Sequence, residues 1–216
     1  MRWLVFLVLV ASVQPLYADD ASAIVSAAPS CAADRTCLPI QLHVAGDDHG
    51  FVAAADWVAM ELAAANRHFA PLGVGFQLVG VDALPASAIH VETRADRDAV
   101  AKGRLGGKRI HVFVVGQLDD IASDGETAYG VNWRRPHDKR QYLIVSVQAL
   151  ERTLAHELGH FFGLPHSSFA VSIMNKTERA EPPLEQRTFA SEEIVAMRPV
   201  LERLLRGNVI VAVPLR

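Results

Sequence analysis

One stretch constrains this chain more than any other: His156-Glu157-Leu158-Gly159-His160-Phe161-Phe162-Gly163-Leu164-Pro165-His166, which reads H-E-x-x-H-x-x-G-x-x-H. Residues four apart on an α-helix stand one turn above each other on the same face, so His156 and His160 can aim two imidazoles at a single ion. A continued helix would carry His166 away from that ion. The backbone must therefore turn at Gly163, the residue free to take a positive φ, and bring a third imidazole back. Three neutral nitrogens at about 2.0 to 2.1 Å suit Zn²⁺ and leave one position for water. Glu157 follows the first ligand and so points beside the ion, near that water, in the position of a general base. Chance produces H-E-x-x-H about 0.02 times in a chain with this many His and Glu, and the added Gly and third His lower that to about 5 × 10⁻⁵.

Hydrophobic spacing lays out the elements around this helix. Residues 38–45 alternate as a strand should, and 51–69 place Phe51, Ala55, Val58, Leu62, Ala65 and Phe69 at helical steps until Pro71. Residues 74–81, 89–92, 109–115 and 142–147 read as further strands. Residues 149–162 are helical, with Leu150, Leu154, Ala155, Leu158, Phe161 and Phe162 on one face. The stretch 164–188, with Pro165, Pro182 and Pro183, is irregular, and a last helix runs from a Ser191 cap to about Arg206, followed by a short apolar tail at 209–213. This order predicts an α/β layer with a mostly parallel sheet. The polar, glycine-dotted segment 116–136 is functional surface or an edge strand with a bulge.

Composition narrows the class. Half of the 216 residues are hydrophobic, 21% are charged and only two are Cys, which excludes a disordered tail, a fibre and a disulfide-dense miniprotein. A formal charge of -3 gives no summed field for nucleic acid or anionic lipid. At the front, Arg2 precedes an apolar run over 3–13 that Gln14-Pro15 breaks before Ala18, the pattern of a signal peptide over 1–18. That run is shorter than the roughly 18 to 20 residues a membrane span needs, so no integral membrane segment is expected after its removal. The expected location is secreted or periplasmic. Residues 19–37 show no apolar period and read as a flexible leader, ahead of a domain over 38–216. In an oxidising compartment Cys31 and Cys37 are expected to close a small disulfide loop. A lipid-modified Cys31, or a free thiolate able to mask a metal, are the competing readings.

The motif is joined by Ser172-Ile173-Met174-Asn175, with Met174 eight residues after His166. Together they resemble the zinc-binding signature and methionine turn of the metzincin metallopeptidases. The resemblance implies a two-lobed α/β (α+β) fold. Its upper lobe has a twisted, mixed five-stranded sheet with helices, and its small irregular lower lobe ends in a helix. It implies Zn²⁺ held by His156, His160 and His166, Glu157 as the catalytic base, Gly163 as the turn glycine, and Met174 as a hydrophobic base beneath the ligands. The implied activity is zinc-dependent endopeptidase hydrolysis of protein or peptide substrates. Ser167 after the third His, and residues 189–199, are similar to the matrixins. Lys176 stands where astacins and serralysins carry a tyrosine ligand, so none is expected, and 19–37 is shorter than a matrixin prodomain.

Substrate is expected along an antiparallel edge strand placed in 125–133, with a solvated loop as the competing reading there. Residues 175–188 should wall the pocket beyond the cut. Asp47, Asp48, Asp119, Asp120, Asp124 and Glu126 are candidate Ca²⁺ ligands without EF-hand spacing, solvated acidic loops being the alternative. His43, His49, His68, His90, His111 and His137 read as surface or satisfied core positions. Cys31 or Asp34 could occupy the open zinc position as a latency device. Two other functions compete: a zinc-binding, peptidase-like binding or toxin component without general proteolysis, and a zinc hydrolase that takes Glu178 or Glu181 as ligand in place of His166.

Overall fold

A computed structural model describes residues 17–123 and 125–214. The signal-peptide reading lies, over residues 1–16, outside the described residues. The helices are α1 (Ala18–Ala27), α2 (Ala55–His68), α3 (Arg94–Val100), α4 (Thr153–Phe161) and α5 (Ser191–Arg206). The strands are β1 (Thr36–Asp47), β2 (Gly50–Phe51), β3 (Val74–Leu84), β4 (His90–Val91), β5 (Ile110–Val115), β6 (Gln117–Leu118), β7 (Gly130–Arg134) and β8 (Gln141–Ser146).

Five long strands run in the order β3-β1-β5-β8-β7, the first four parallel and β7 antiparallel to β8 at the edge. The two-residue β2 folds back on the end of β1 as a sixth strand, and β4 pairs with β6 in a separate ladder. The central strand β5 explains why both faces are covered: all six of its residues are buried, as parallel strands between helical layers require. Ile110, Val112 and Val114 face the core shared with α2 and α4, whereas Phe113 and Val115 pack with Val100 of α3, Trp133 and Tyr142.

Three elements depart from the sequence reading. Residues 51–54 do not join α2, because Gly50 and Phe51 pair with β1. The stretch after residue 18, expected to lack regular structure, is the helix α1, which packs on α2 and β3 and buries Ile24 to 1% exposure. A single buried anchor leaves no period to read. Tyr17 fixes the start of α1 by stacking on Phe51 and donating to the Asp47 carbonyl at 3.0 Å. Helix α3 is absent from the apolar pattern, although its signal is local: the Thr93 hydroxyl accepts from the Asp96 N–H while the Asp96 carboxylate accepts from the Thr93 N–H.

Candidate metal centre

Helix α4 is shorter than its apolar pattern, starting at Thr153 because Arg152 takes a left-handed φ of 90° and Leu150 stays exposed. The helix start is held by Glu61 of α2, whose Oε2 accepts from the Leu154 N–H at 2.9 Å. Burial raises the Glu61 carboxyl to about 7. An acid standing among Val58, Leu62 and Ala65 on the buried face of α2 was the available signal for this contact.

The helix presents His156 and His160 one turn apart, and Gly163, with φ +93°, turns the chain so that His166 meets them. Ligand nitrogens of the three lie within 4.8 Å of one another. Their tautomers follow from what each ring touches. His156 Nδ1–H donates to the Ile173 carbonyl at 2.8 Å, and His160 Nδ1–H to the Leu164 carbonyl at 2.7 Å. A carbonyl only accepts, so in the neutral rings both Nε2 atoms keep free lone pairs. His160 Nε2 and His166 Nε2 face each other at 3.1 Å. Burial holds all three rings below the usual histidine range, to about 4 for His156 and His166, with the Lys176 charge adding to it. Neutral, convergent imidazole nitrogens, those of His156 and His160 with carbonyl-anchored far sides, are a donor set that fits Zn²⁺.

The methionine turn lies beneath this set. Met174 is fully buried, and its sulfur packs so closely on α4 that a Cβ at Gly159 would come within 2.6 Å of it. Gly159, an unassigned position within the motif, is thus a packing requirement that becomes visible only when the turn is in place. The turn is anchored to α5. Ser172 Oγ–H donates to the buried Glu193 carboxylate and its Oγ accepts from the Met174 N–H at 2.9 Å, while Glu193 Oε2 also accepts from the Ala190 N–H at 2.8 Å.

Glu157 is buried, and desolvation raises its carboxyl to about 7 against the lowering effect of the Asn132 N–H and the Lys176 and Arg97 charges. Its Oε2 has no hydrogen-bond partner among the described residues. The expected edge strand is present but narrower than 125–133: β7 begins at Gly130, where a Cβ would lie 2.8 Å from the Glu157 Cγ. Gly130, Asn132, Glu157, His160, His166 and Lys176 line one cleft of about 490 Å³. From the expected wall over 175–188, Lys176 reaches this cleft.

The remaining candidates fall elsewhere. Glu178 and Glu181 are exposed, and among the described residues the metal-capable cluster holds only the three histidines, which favours His166 as third ligand. Cys31 and Cys37 form a disulfide, and Cys31 lies against β3, at the sheet edge opposite β7, so a leader thiolate does not mask the centre. Asp34 is exposed beside Arg35. Of the calcium candidates, Asp47 accepts from the His49 N–H, Asp119 is bonded to His90 and Gln117, Asp120 accepts from the Ala122 N–H, and Asp124 lies outside the described residues. His43 and His111 form a buried pair 3.0 Å apart, and His68 meets the Thr188 hydroxyl.

No protein-family model and no curated protein sequence matches this chain. Solved structures do. Promirolysin of Tannerella forsythia (mutant E225A) superposes with a TM-score of 0.57 at 13% identity over 87% of each chain. An archaemetzincin of Methanopyrus kandleri gives 0.54 at 16% identity over 78% of this chain and 97% of that one. Metalloproteinase-II of Bacteroides fragilis gives 0.53 at 16% identity over 82% of this chain, which spans 60% of that protein's length. At these identities the likeness defines the fold alone, and that fold is metzincin-like.

Proposed function

We propose that the chain is an exported zinc-dependent endopeptidase. The observation that carries this reading is the convergence of the His156, His160 and His166 nitrogens beside a buried, half-unpartnered Glu157. A zinc ion held by the three imidazoles would supply Lewis acidity toward the scissile carbonyl and a water acidic enough to attack it near neutral pH. The protein's own contribution is a proton path. Glu157 Oε2 would take the proton of the attacking water and return it to the leaving amine nitrogen. Substrate main chain is held by β7, whose outer edge has no neighbouring strand among the described residues, so an extended peptide adds to the sheet beside Glu157. Export is supported by the 1–18 segment and by the Cys31–Cys37 disulfide. The serine that follows the third histidine, Ser167, supports a matrixin-like affinity.

The test is cleavage of a mixed peptide library by protein lacking residues 1–18, beside Glu157→Ala and a chelated sample. Cutting by wild type that chelation abolishes and zinc restores, with Glu157→Ala keeping zinc but losing about 10²- to 10⁴-fold in kcat, is the expected result. Zinc-loaded wild type that binds peptides and cuts none would point instead to the binding or toxin role.

A further inference from the structure

A second cleft, of about 940 Å³, opens beside the metal centre and shares Asn132, His160 and Gly163 with it. Its charge is one-sided. Lys108 and Arg109 enter from the segment before β5, Arg134 from the end of β7, Lys139 and Arg140 from the turn before β8, and Arg203 from α5. All six are exposed. The one acid in the lining, Asp138, is taken up by Arg135 and Arg140. Among the described residues no carboxylate stands at ion-pair distance from Lys108, Arg109, Arg134, Lys139 or Arg203. Arg109 and Arg134 donate instead to the neutral amides of Gln41 and Gln141. This is a concentration of positive charge on a chain whose net charge is -3, so it is a local field and not a bulk one. Phe161, Val200 and Leu204 give the cleft an apolar side.

Strand geometry connects the cleft to the scissile position. Side chains two apart on a strand share a face, so Gly130, which abuts Glu157, puts Asn132 and Arg134 on the same side as the metal centre. Arg134 lies four residues from Gly130, about 13 Å along the strand. We propose that this cleft is a subsite for carboxylates, selecting peptides with Asp or Glu about three to five residues from the cut bond. The proposal rests on the peptidase reading and names its substrate class. A substrate's own C-terminal carboxylate would offer the same chemistry.

The test compares labelled peptides carrying Glu or Gln at those positions, with free and amidated C termini, for anisotropy binding to the zinc-loaded full chain and for kcat/KM. The Glu peptides should bind about tenfold more tightly, from two or more exposed charge pairs, and lose that preference in Lys139→Gln/Arg203→Gln and in 0.5 M salt. Cleavage of the Gln peptides should be unchanged in that variant. A preference abolished by amidation alone would keep the subsite and assign it to the terminal carboxylate. Equal binding of Glu and Gln peptides, or a preference that survives both substitutions, would overturn the proposal. Acid-selective binding with no peptide cut would leave the subsite standing and remove the peptidase reading; cleavage without acid preference would do the reverse.

Discussion

The two edges of the sheet are treated in opposite ways. At the β3 edge the backbone is occupied. The Asn66 side chain accepts from the Phe76 N–H at 2.6 Å and donates to its carbonyl, the Cys31 N–H donates to Gln77, and the disulfide sulfur packs on Gly75. A register shift between Ile40 and Gln41 further bends the pairing beside it. At the β7 edge no further strand pairs with the main chain among the described residues, and a glycine stands where it passes Glu157. Unpaired strand edges invite added strands, so proteins cover them unless pairing is their use. Helix α2 serves both edges, lending Asn66 to close one and Glu61 to hold the start of α4 beside the other.

The glycines at the two edges give the largest contrast. Gly130→Ala should push Glu157 from its place and lower kcat up to about a hundredfold while leaving the melting temperature nearly unchanged, since small displacements at a reacting group cost that much. Gly75→Ala should do the opposite, lowering stability by about 1 to 3 kcal/mol because the tethered Cys31 sulfur cannot yield, with kcat per folded molecule retained. Equal effects at the two sites would dissolve the distinction.

The support from α2 is separable by pH. The folded Glu61 carboxyl lies above its unfolded value, so its stabilisation is present below about 4.5 and lost as pH rises through about 7. Denaturant unfolding of Glu61→Gln, whose amide oxygen can still accept from Leu154, should be less pH-sensitive than wild type by about 2 kcal/mol between pH 5 and 7.5. A substitution that leaves the pH slope intact would remove Glu61 from this role. Removing the disulfide with Cys31→Ser/Cys37→Ser should cost about 2 kcal/mol by the same measurement and spare kcat, as befits an edge far from the chemistry. The smallest effect belongs to single peptide hydrogen bonds: N-methylation of one substrate amide paired with β7 should raise KM about fivefold. No dependence on N-methylation at any position would mean that peptides do not add to this edge.

The site was largely legible in the chain because its chief parts are local. His156, Glu157 and His160 are placed by helical pitch, and Gly163 by the positive φ that a turn toward His166 demands. Met174 followed from the metzincin resemblance, which its spacing from His166 helps to carry. The parallel strands were legible because burial on both faces leaves largely apolar runs such as residues 110–115, interrupted only by His111. Helix α1 was not, since one buried isoleucine makes no period, and α4 began later than its pattern because Leu150 is exposed despite its apolar character.

What the sequence determined by itself is therefore the convergence of three histidines, the acid beside the first of them and the strand-helix order, all encoded in local spacings. Only the tertiary structure decided that Gly130 abuts Glu157, that Ser172 and Glu193 tie the methionine turn to α5, and that six cations from four separate segments share one cleft. Such contacts join residues far apart in the chain, and their side chains meet only after the sheet has set its register. A local period therefore carries no trace of them.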